Sequence, residues 1–198
     1  MKKILASLIL LAGVVSTAPA LSLAVGGRGF LGGNLQTDDS GLDGFMCGLG
    51  AFLNLDLIGG FGFQGEVNYV ANQISTGSNS VTFTHYEILD FPLYVWYNLK
   101  LNPIVLGAGA GINFSNYPGS EVEAKGSFAN VGLAAGANLK VYVSEHFGIV
   151  LGATGVFDFF PTIVKTENTE NNSTTYTFSD ADYRRKSIYG SLGLEYRF

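Results

Sequence analysis

The chain has 198 residues, 47% of them hydrophobic and only 14% charged, with a formal net charge of −5 and a pI near 4.9. That length suggests one domain, the acidic balance argues against nucleic acid as a partner, and a single cysteine, Cys47, excludes an intrachain disulfide. So few charges leave little to hold the chain in water, yet past the N-terminus no apolar run reaches the roughly 18 residues of a transmembrane helix. Glycine is abundant at 27 residues and aromatics at 13%, which suits a closed barrel whose backbone groups must all pair without water.

Residues 1–20 read as a secretory signal peptide. Lys2 and Lys3 form a charged start, Ile4 to Val15 an apolar core, and Ala18-Pro19-Ala20 a small-x-small cleavage site, with cleavage after Ala18 or Ala20. The apolar core is too short to span a bilayer, and no Leu-x-x-Cys arrangement at the cleavage point calls for a lipid anchor. Loss of the two lysines takes the charge from −5 to −7.

Residues 21–198 divide into eight alternating segments. Alternation with period two puts one set of side chains on each face of a strand. Segment one, 21–34, carries Leu21, Leu23, Val25 and Leu31 on one face and Ser22, Arg28 and Asn34 on the other. Segment two, 45–55, has Phe45, Cys47, Leu49, Ala51, Leu53 and Leu55 on its apolar side, and Asp56 to Gly60 make a short turn. Segment three, 61–73, sets Phe61, Phe63, Val67, Tyr69 and Ala71 against Gln64, Glu66, Asn68 and Asn72. Segment four, 84–98, sets Leu89, Phe91, Leu93, Val95 and Tyr97 against Asp90, Pro92, Tyr94 and Trp96, and ends in the short turn 98–103.

Segment five, 104–114, opposes Ile104, Leu106, Ala108, Ala110, Ile112 and Phe114 to Gly107, Gly109 and Gly111, where a narrow interior has little room. Segment six, 127–143, is apolar at Val131, Leu133, Ala135, Ala137, Leu139 and Val141 and polar at Asn130 and Asn138, and 144–146 is a third short turn. Segment seven, 147–160, opposes Phe147, Ile149, Leu151, Ala153, Phe157 and Phe159 to Thr154 and Asp158. The closing segment, 188–198, puts Ile188, Leu192, Leu194, Tyr196 and Phe198 on one side and Tyr189, Ser191, Glu195 and Arg197 on the other.

The connections after segments one, three, five and seven are long and polar, at 35–44, 74–83, 115–126 and 161–184, and the other three are short. Segments of this length suffice for tilted strands to cross a bilayer, and long loops on one side with short turns on the other are the habit of outer-membrane barrels. The pattern predicts an all-β fold, an eight-stranded antiparallel transmembrane up-and-down β-barrel. An even strand count leaves both termini on the periplasmic side.

The pattern resembles the small eight-stranded outer-membrane proteins of the OmpA/OmpX/OmpW type. Ile88-Leu-Asp-Phe-Pro-Leu-Tyr-Val-Trp-Tyr-Asn-Leu99 is similar to a segment of the outer-membrane β-barrel domain family, which tolerates a proline such as Pro92 inside the strand. The closing segment resembles the last strand of such barrels. The resemblance implies residence in the bacterial outer membrane, contact with its lipids, and recognition of Leu194, Tyr196 and Phe198 by the barrel-assembly machinery.

Catalytic signals are weak. His85 and His146 stand 61 residues apart, and neither His-Glu-x-x-His nor Gly-x-Ser-x-Gly occurs. One lipid-modifying enzyme family of the outer membrane uses a His-x-Ser arrangement, but His85-Tyr86-Glu87 lacks the serine. Gly107-Ala-Gly-Ala-Gly111 has no helix after it to make a phosphate site, and the sequons in Asn171-Asn-Ser-Thr174 read as a polar loop. The expectation is therefore no enzymatic activity, no cofactor and no metal, with a lipid-modifying enzyme as the remote alternative.

The inward parity carries Arg28, Glu66, Asp90, Asp158, Glu195 and Arg197. Buried charges are costly unless paired, and an eight-stranded barrel has just enough interior for side chains. These six are expected to form a lumen charge cluster centred on Arg28, with Glu66 and Asp90 at its level. Function then resides in the surface loops, as a structural or interaction role toward a host or extracellular ligand, an adhesin candidate. In the long fourth loop Tyr176 and Phe178 alternate with polar residues, which fits either segments seven and eight continuing as a protruding ribbon or a plain solvated hairpin. The rival reading is a narrow porin for small or apolar solutes.

Overall fold

The structure, a computed structural model, describes residues 21–35, 42–76, 82–118, 122–124, 130–159, 162–170, 173–183 and 185–198. The signal peptide expected at 1–20, with its cleavage residues Ala18 and Ala20, falls outside the described residues. In chain order the strands are β1 (Ser22–Leu35), β2 (Leu42–Asp56), β3 (Phe61–Thr76), β4 (Thr82–Lys100), β5 (Ile104–Asn116), β6 (Val122–Ala124), β7 (Asn130–Tyr142), β8 (Phe147–Asp158), β9 (Thr162–Glu170), β10 (Ser173–Tyr183) and β11 (Lys186–Arg197). Eight of them close an antiparallel barrel in the order β1-β11-β8-β7-β5-β4-β3-β2, while β10, β9 and β6 form a separate three-stranded sheet. Each barrel strand coincides with one alternating segment, with ends that move by a few residues.

Closure leaves no free edge, so the lipid-facing wall needs no polar protection. That wall exposes large apolar side chains along its whole circumference, Leu49 at 71% and Leu194 at 65% among them. In water such a surface would drive aggregation; against acyl chains it is the normal outer face. Exposed aromatics gather at the two ends of the wall. Phe61, Phe63, Tyr97, Phe147 and Phe198 ring the end that carries the termini, and Phe45, Tyr69, Phe91, Phe114 and Phe157 ring the other.

The short turns lie at the terminal end. The first contains a single 3-10 turn, Ile58–Gly60, in which Gly59 (φ 77°) and Gly60 (φ 87°) adopt the left-handed conformation that glycine takes without penalty. The opposite end carries the long connections. There the ribbon expected between segments seven and eight is present as the antiparallel hairpin β9–β10, and its ladder is separate from that of the barrel. The barrel ladder between β8 and β11 ends at Phe157 and Lys186, and β9 and β10 pair afresh with each other. β6, from the preceding long connection, adds to β9, so two connections share one sheet. Segment six starts at Asn130, not Ser127, and 125–129 lie outside the described residues.

Register fixes the levels inside the barrel. A circuit of directly paired residues from Ala24 runs through Asn54, Gln64, Tyr94, Gly111, Ala134, Val156 and Ser187 and returns to β1 at Asn34, ten residues further along. Ten residues of rise at about 3.3 Å, against eight strand spacings at about 4.8 Å, tilts the strands by roughly 40°. Pro92 does not break β4. The ladder to β3 steps from Gly65↔Leu93 to Asn68↔Asp90 and keeps the same register on both sides of it.

Inward glycines belong to this packing. A Cβ on Gly109 would lie 2.6 Å from the Trp96 ring, and one on Gly107 would run into Asn98 and Asn138. The outward Gly27 and Gly29 have ordinary room, with nearest atoms at 3.6 and 3.7 Å.

Candidate functional site

The lumen is filled by side chains at three levels. At mid-height Arg28, from β1, meets the fully buried Glu66 of β3 in an ion pair. Glu66 accepts two further bonds along its own strand, from Gln64 Nε2 at 2.5 Å and Asn68 Nδ2 at 2.9 Å. The carboxylate thus exchanges its water for three donors, which is what makes a buried charge tolerable. The Arg28 guanidinium also lies 5.9 Å from the centre of the Tyr189 ring.

Toward the loop end, Arg185 occupies the centre. It follows β10 and precedes β11, and its carbonyl accepts the Asp158 N–H at 2.9 Å. Its side chain, 1% exposed, turns into the lumen and grips Asp90 with both terminal nitrogens at 3.0 and 2.9 Å. Its Nε lies 3.2 Å from Asp158 Oδ2. Ser115 donates to Asp90 at 2.7 Å and accepts from Arg185 at 3.0 Å, and Tyr117 donates to Asp158 at 3.1 Å. One planar guanidinium therefore serves two carboxylates, a task its fork suits. Beside it, Asn34 bonds Asn72 and accepts from Ser187 at 2.6 Å.

At the terminal end Lys140 of β7 donates to Glu195 of β11 at 2.7 Å, and the Tyr142 hydroxyl binds the same carboxylate. The Arg197 guanidinium carbon lies over the Tyr142 ring, 3.8 Å from its centre. Asp56 accepts from Asn98 at 3.0 Å and faces Lys100 at 3.8 Å. Between and beside these levels Phe30, Met46, Val70, Ile88, Tyr94, Trp96, Ala134, Val156 and Tyr189 form one buried apolar cluster.

Of the six inward charges named from sequence, Arg28 and Glu66 meet. The single cluster centred on Arg28 is corrected in two respects. Asp90 and Asp158 surround Arg185, and Glu195 and Arg197 stand at the terminal end with Lys140 and Tyr142. The cause is the shear. Following paired residues from β1 to β4 climbs the barrel, so heights counted from strand ends place Asp90 too close to Arg28. Arg185 and Lys140 escaped the sequence reading although parity contained them. Lys140 shares the parity of Asn138, and Arg185 shares that of Ser187 but stands three residues before the closing segment 188–198.

The histidines lie at opposite ends of the barrel. His85 pairs with Gln73 on β3 near the loop end, whereas His146, in the last short turn, bonds the Arg197 carbonyl at 2.9 Å and stacks on Tyr196. Among the described residues no group of three or more His, Cys, Asp or Glu is arranged to hold a metal.

A closed, sheared barrel with an apolar wall, aromatic belts at both rims and a polar packed interior is a transmembrane β-barrel of the outer-membrane class. The chain belongs to the outer membrane protein beta-barrel domain family, whose sequence profile matches residues 6–198. It is a protein of the bacterial outer membrane. No curated protein sequence matches it. In shape it is similar to the attachment invasion locus protein Ail of Yersinia pestis, solved with the heparin analogue sucrose octasulfate. That likeness has 13% identity, a TM-score of 0.51, and covers 89% of this chain and 99% of that one. It is also similar to Neisserial surface protein A, at 12% identity and TM-score 0.48, covering 90% and 97%. The Escherichia coli outer membrane protein W matches at 14% identity and TM-score 0.44, covering 91% and 98%. At such identities the likeness concerns the fold alone.

Proposed function

We propose that this barrel is a closed membrane anchor, without catalytic activity, that presents its long connections as an interaction surface outside the cell. The observation that carries the reading is Arg185. It sits at the root of the β9–β10 hairpin, wholly buried between Asp90 and Asp158. Ser115 and Tyr117, at the root of the connection that supplies β6, bond into the same cluster. The two connections that share a sheet therefore also share a foundation inside the lumen. A side-chain network that both fills an eight-stranded interior and supports its loops favours anchorage over transport.

The partner's charge follows from the sequence. The connections at 35–44, 74–83, 115–126 and 161–184 hold nine acidic residues against three basic ones, so they fit a cationic partner better than a polyanion. In this reading the termini face the periplasm, and Leu194, Tyr196 and Phe198 are the signal for the barrel-assembly machinery. Tyr196 lies between the rings of Phe147 and Phe198, at 5.0 and 5.1 Å, and the Phe198 N–H donates to the Leu23 carbonyl at 2.9 Å. The terminal residue thus also helps close the wall.

Conductance of the refolded protein in a planar bilayer tests the closed lumen. The expected trace shows no steady unitary current, and large steady currents would move the reading to the narrow porin. For orientation, a cysteine at Ser173 in a Cys47→Ser background should react with an impermeant maleimide on whole cells while one at Glu145 stays unlabelled. The opposite labelling would invert the topology.

A further inference from the structure

At the terminal end the lumen opens into a concavity of about 450 Å³ between the β4–β5 turn and the β7–β8 turn. Val105 and Tyr142 line it with apolar surface, and Lys100, Arg197 and Glu145 bring charge. The charges are not balanced in the way they are deeper in the barrel. Glu195 is already consumed by Lys140 and Tyr142. Asp56 is held by Asn98 and stands 3.8 Å from Lys100, whose side chain is half exposed, so that pairing is weak and easily released. Glu145 lies exposed on the rim. Among the described residues no carboxylate forms an ion pair with Arg197, and its Nε is buried without a partner. The guanidinium is nonetheless fixed, because it rests on the Tyr142 ring.

We infer that this mouth is a binding site for a small anionic group, a phosphate or a carboxylate, held between the Arg197 guanidinium and the Lys100 ammonium. A guanidinium oriented in advance loses little rotamer freedom when it engages two oxygens of one anion. Val105 and Tyr142 offer contact for the carbon skeleton that carries the anion. With the termini on the periplasmic side, as proposed above, the anion comes either from a soluble periplasmic molecule or from a phospholipid headgroup of the inner leaflet. The site itself does not depend on that orientation, so its test is separate from the labelling test.

The test uses the mature barrel, labelled with ¹⁵N-arginine and refolded in a sugar-headed detergent that carries no phosphate. Inorganic phosphate is titrated at constant ionic strength, with sodium chloride as the balancing salt. The expected result is a saturable shift of the Arg197 Nε–H signal while those of Arg28 and Arg185 stay in place. Lys100→Gln should weaken the phosphate affinity by about tenfold, and Lys186→Gln, at the loop end of the barrel, should retain it. Repeating the titration in nanodiscs separates the sources. An Arg197 signal already shifted in phosphatidylglycerol, and insensitive to added phosphate, identifies the headgroup; a signal that still responds identifies a soluble anion. No shift, an equal shift of Arg28, Arg185 and Arg197, or an unchanged affinity in Lys100→Gln would overturn the site.

Discussion

The two ion-paired levels around Arg28 and Arg185 answer the same physical problem differently. At mid-barrel one arginine faces one glutamate, and neutral amides from Gln64 and Asn68 complete the carboxylate's bonding. At the loop end one arginine holds two aspartates, and hydroxyls from Ser115 and Tyr117 complete theirs. The first arrangement is local to the barrel wall. The second reaches the connections, because Arg185 and Tyr117 stand just outside the barrel strands. The same chemistry therefore spans the lumen in one place and reaches the roots of the connections in the other. Removing the cation should have unequal consequences.

The largest effect is expected for Arg185→Ala, which leaves Asp90 and Asp158 buried without a counter-charge. One-sided loss of a buried pair costs about 3–5 kcal/mol, and with two acids stranded this variant should fall at the upper end. Urea unfolding in lipid vesicles measures it. Arg185→Lys should recover only part, since an ammonium cannot span both carboxylates with a planar fork. A loss no greater than that of Arg28→Ala would erase the difference between the two levels.

Arg28→Ala strands one acid and should cost about 3 kcal/mol. Arg28→Ala combined with Glu66→Gln should be more stable than the sum of the single losses, because residues in contact are non-additive. Strict additivity in the same unfolding assay would mean that the two side chains do not meet in the folded barrel. Protease accessibility of the β9–β10 hairpin on folded protein sharpens the contrast further. It should rise in Arg185→Ala and stay at the wild-type level in Arg28→Ala.

Smaller effects separate the two faces of the wall. Gly109→Ala pushes a methyl group into Trp96 and should cost about 1–3 kcal/mol through overpacking. Gly27→Ala, with its nearest neighbour at 3.6 Å, should leave the unfolding midpoint almost unchanged. Equal losses would place Gly27 in the interior. The smallest change in finished stability is expected for Phe198→Asp, which keeps the backbone bond to Leu23. Its yield in cells should fall far more than its refolding yield in detergent, and parallel losses would argue for plain destabilisation over recognition by the assembly machinery.

Period-two alternation settled a great deal without tertiary help. It located all eight barrel strands, and it assigned Leu49, Leu93 and Leu194 to lipid and Glu66, Asp90 and Tyr189 to the interior. Parity is a local property of an extended chain, so it can be read residue by residue. The sequence also shows why Gly107, Gly109 and Gly111 recur on one parity, although the obstructing groups, Asn98, Asn138 and Trp96, come from neighbouring strands. Height within the barrel is a different kind of quantity. It accumulates from the register of every strand pair around a closed circuit, and the ten-residue offset from Ala24 to Asn34 belongs to no single strand. For that reason only the tertiary structure could assign Asp90 to Arg185 and Glu195 to Lys140. It alone also showed that two separate connections meet in one sheet, since strand pairing across distant segments is decided by where barrel closure brings their roots.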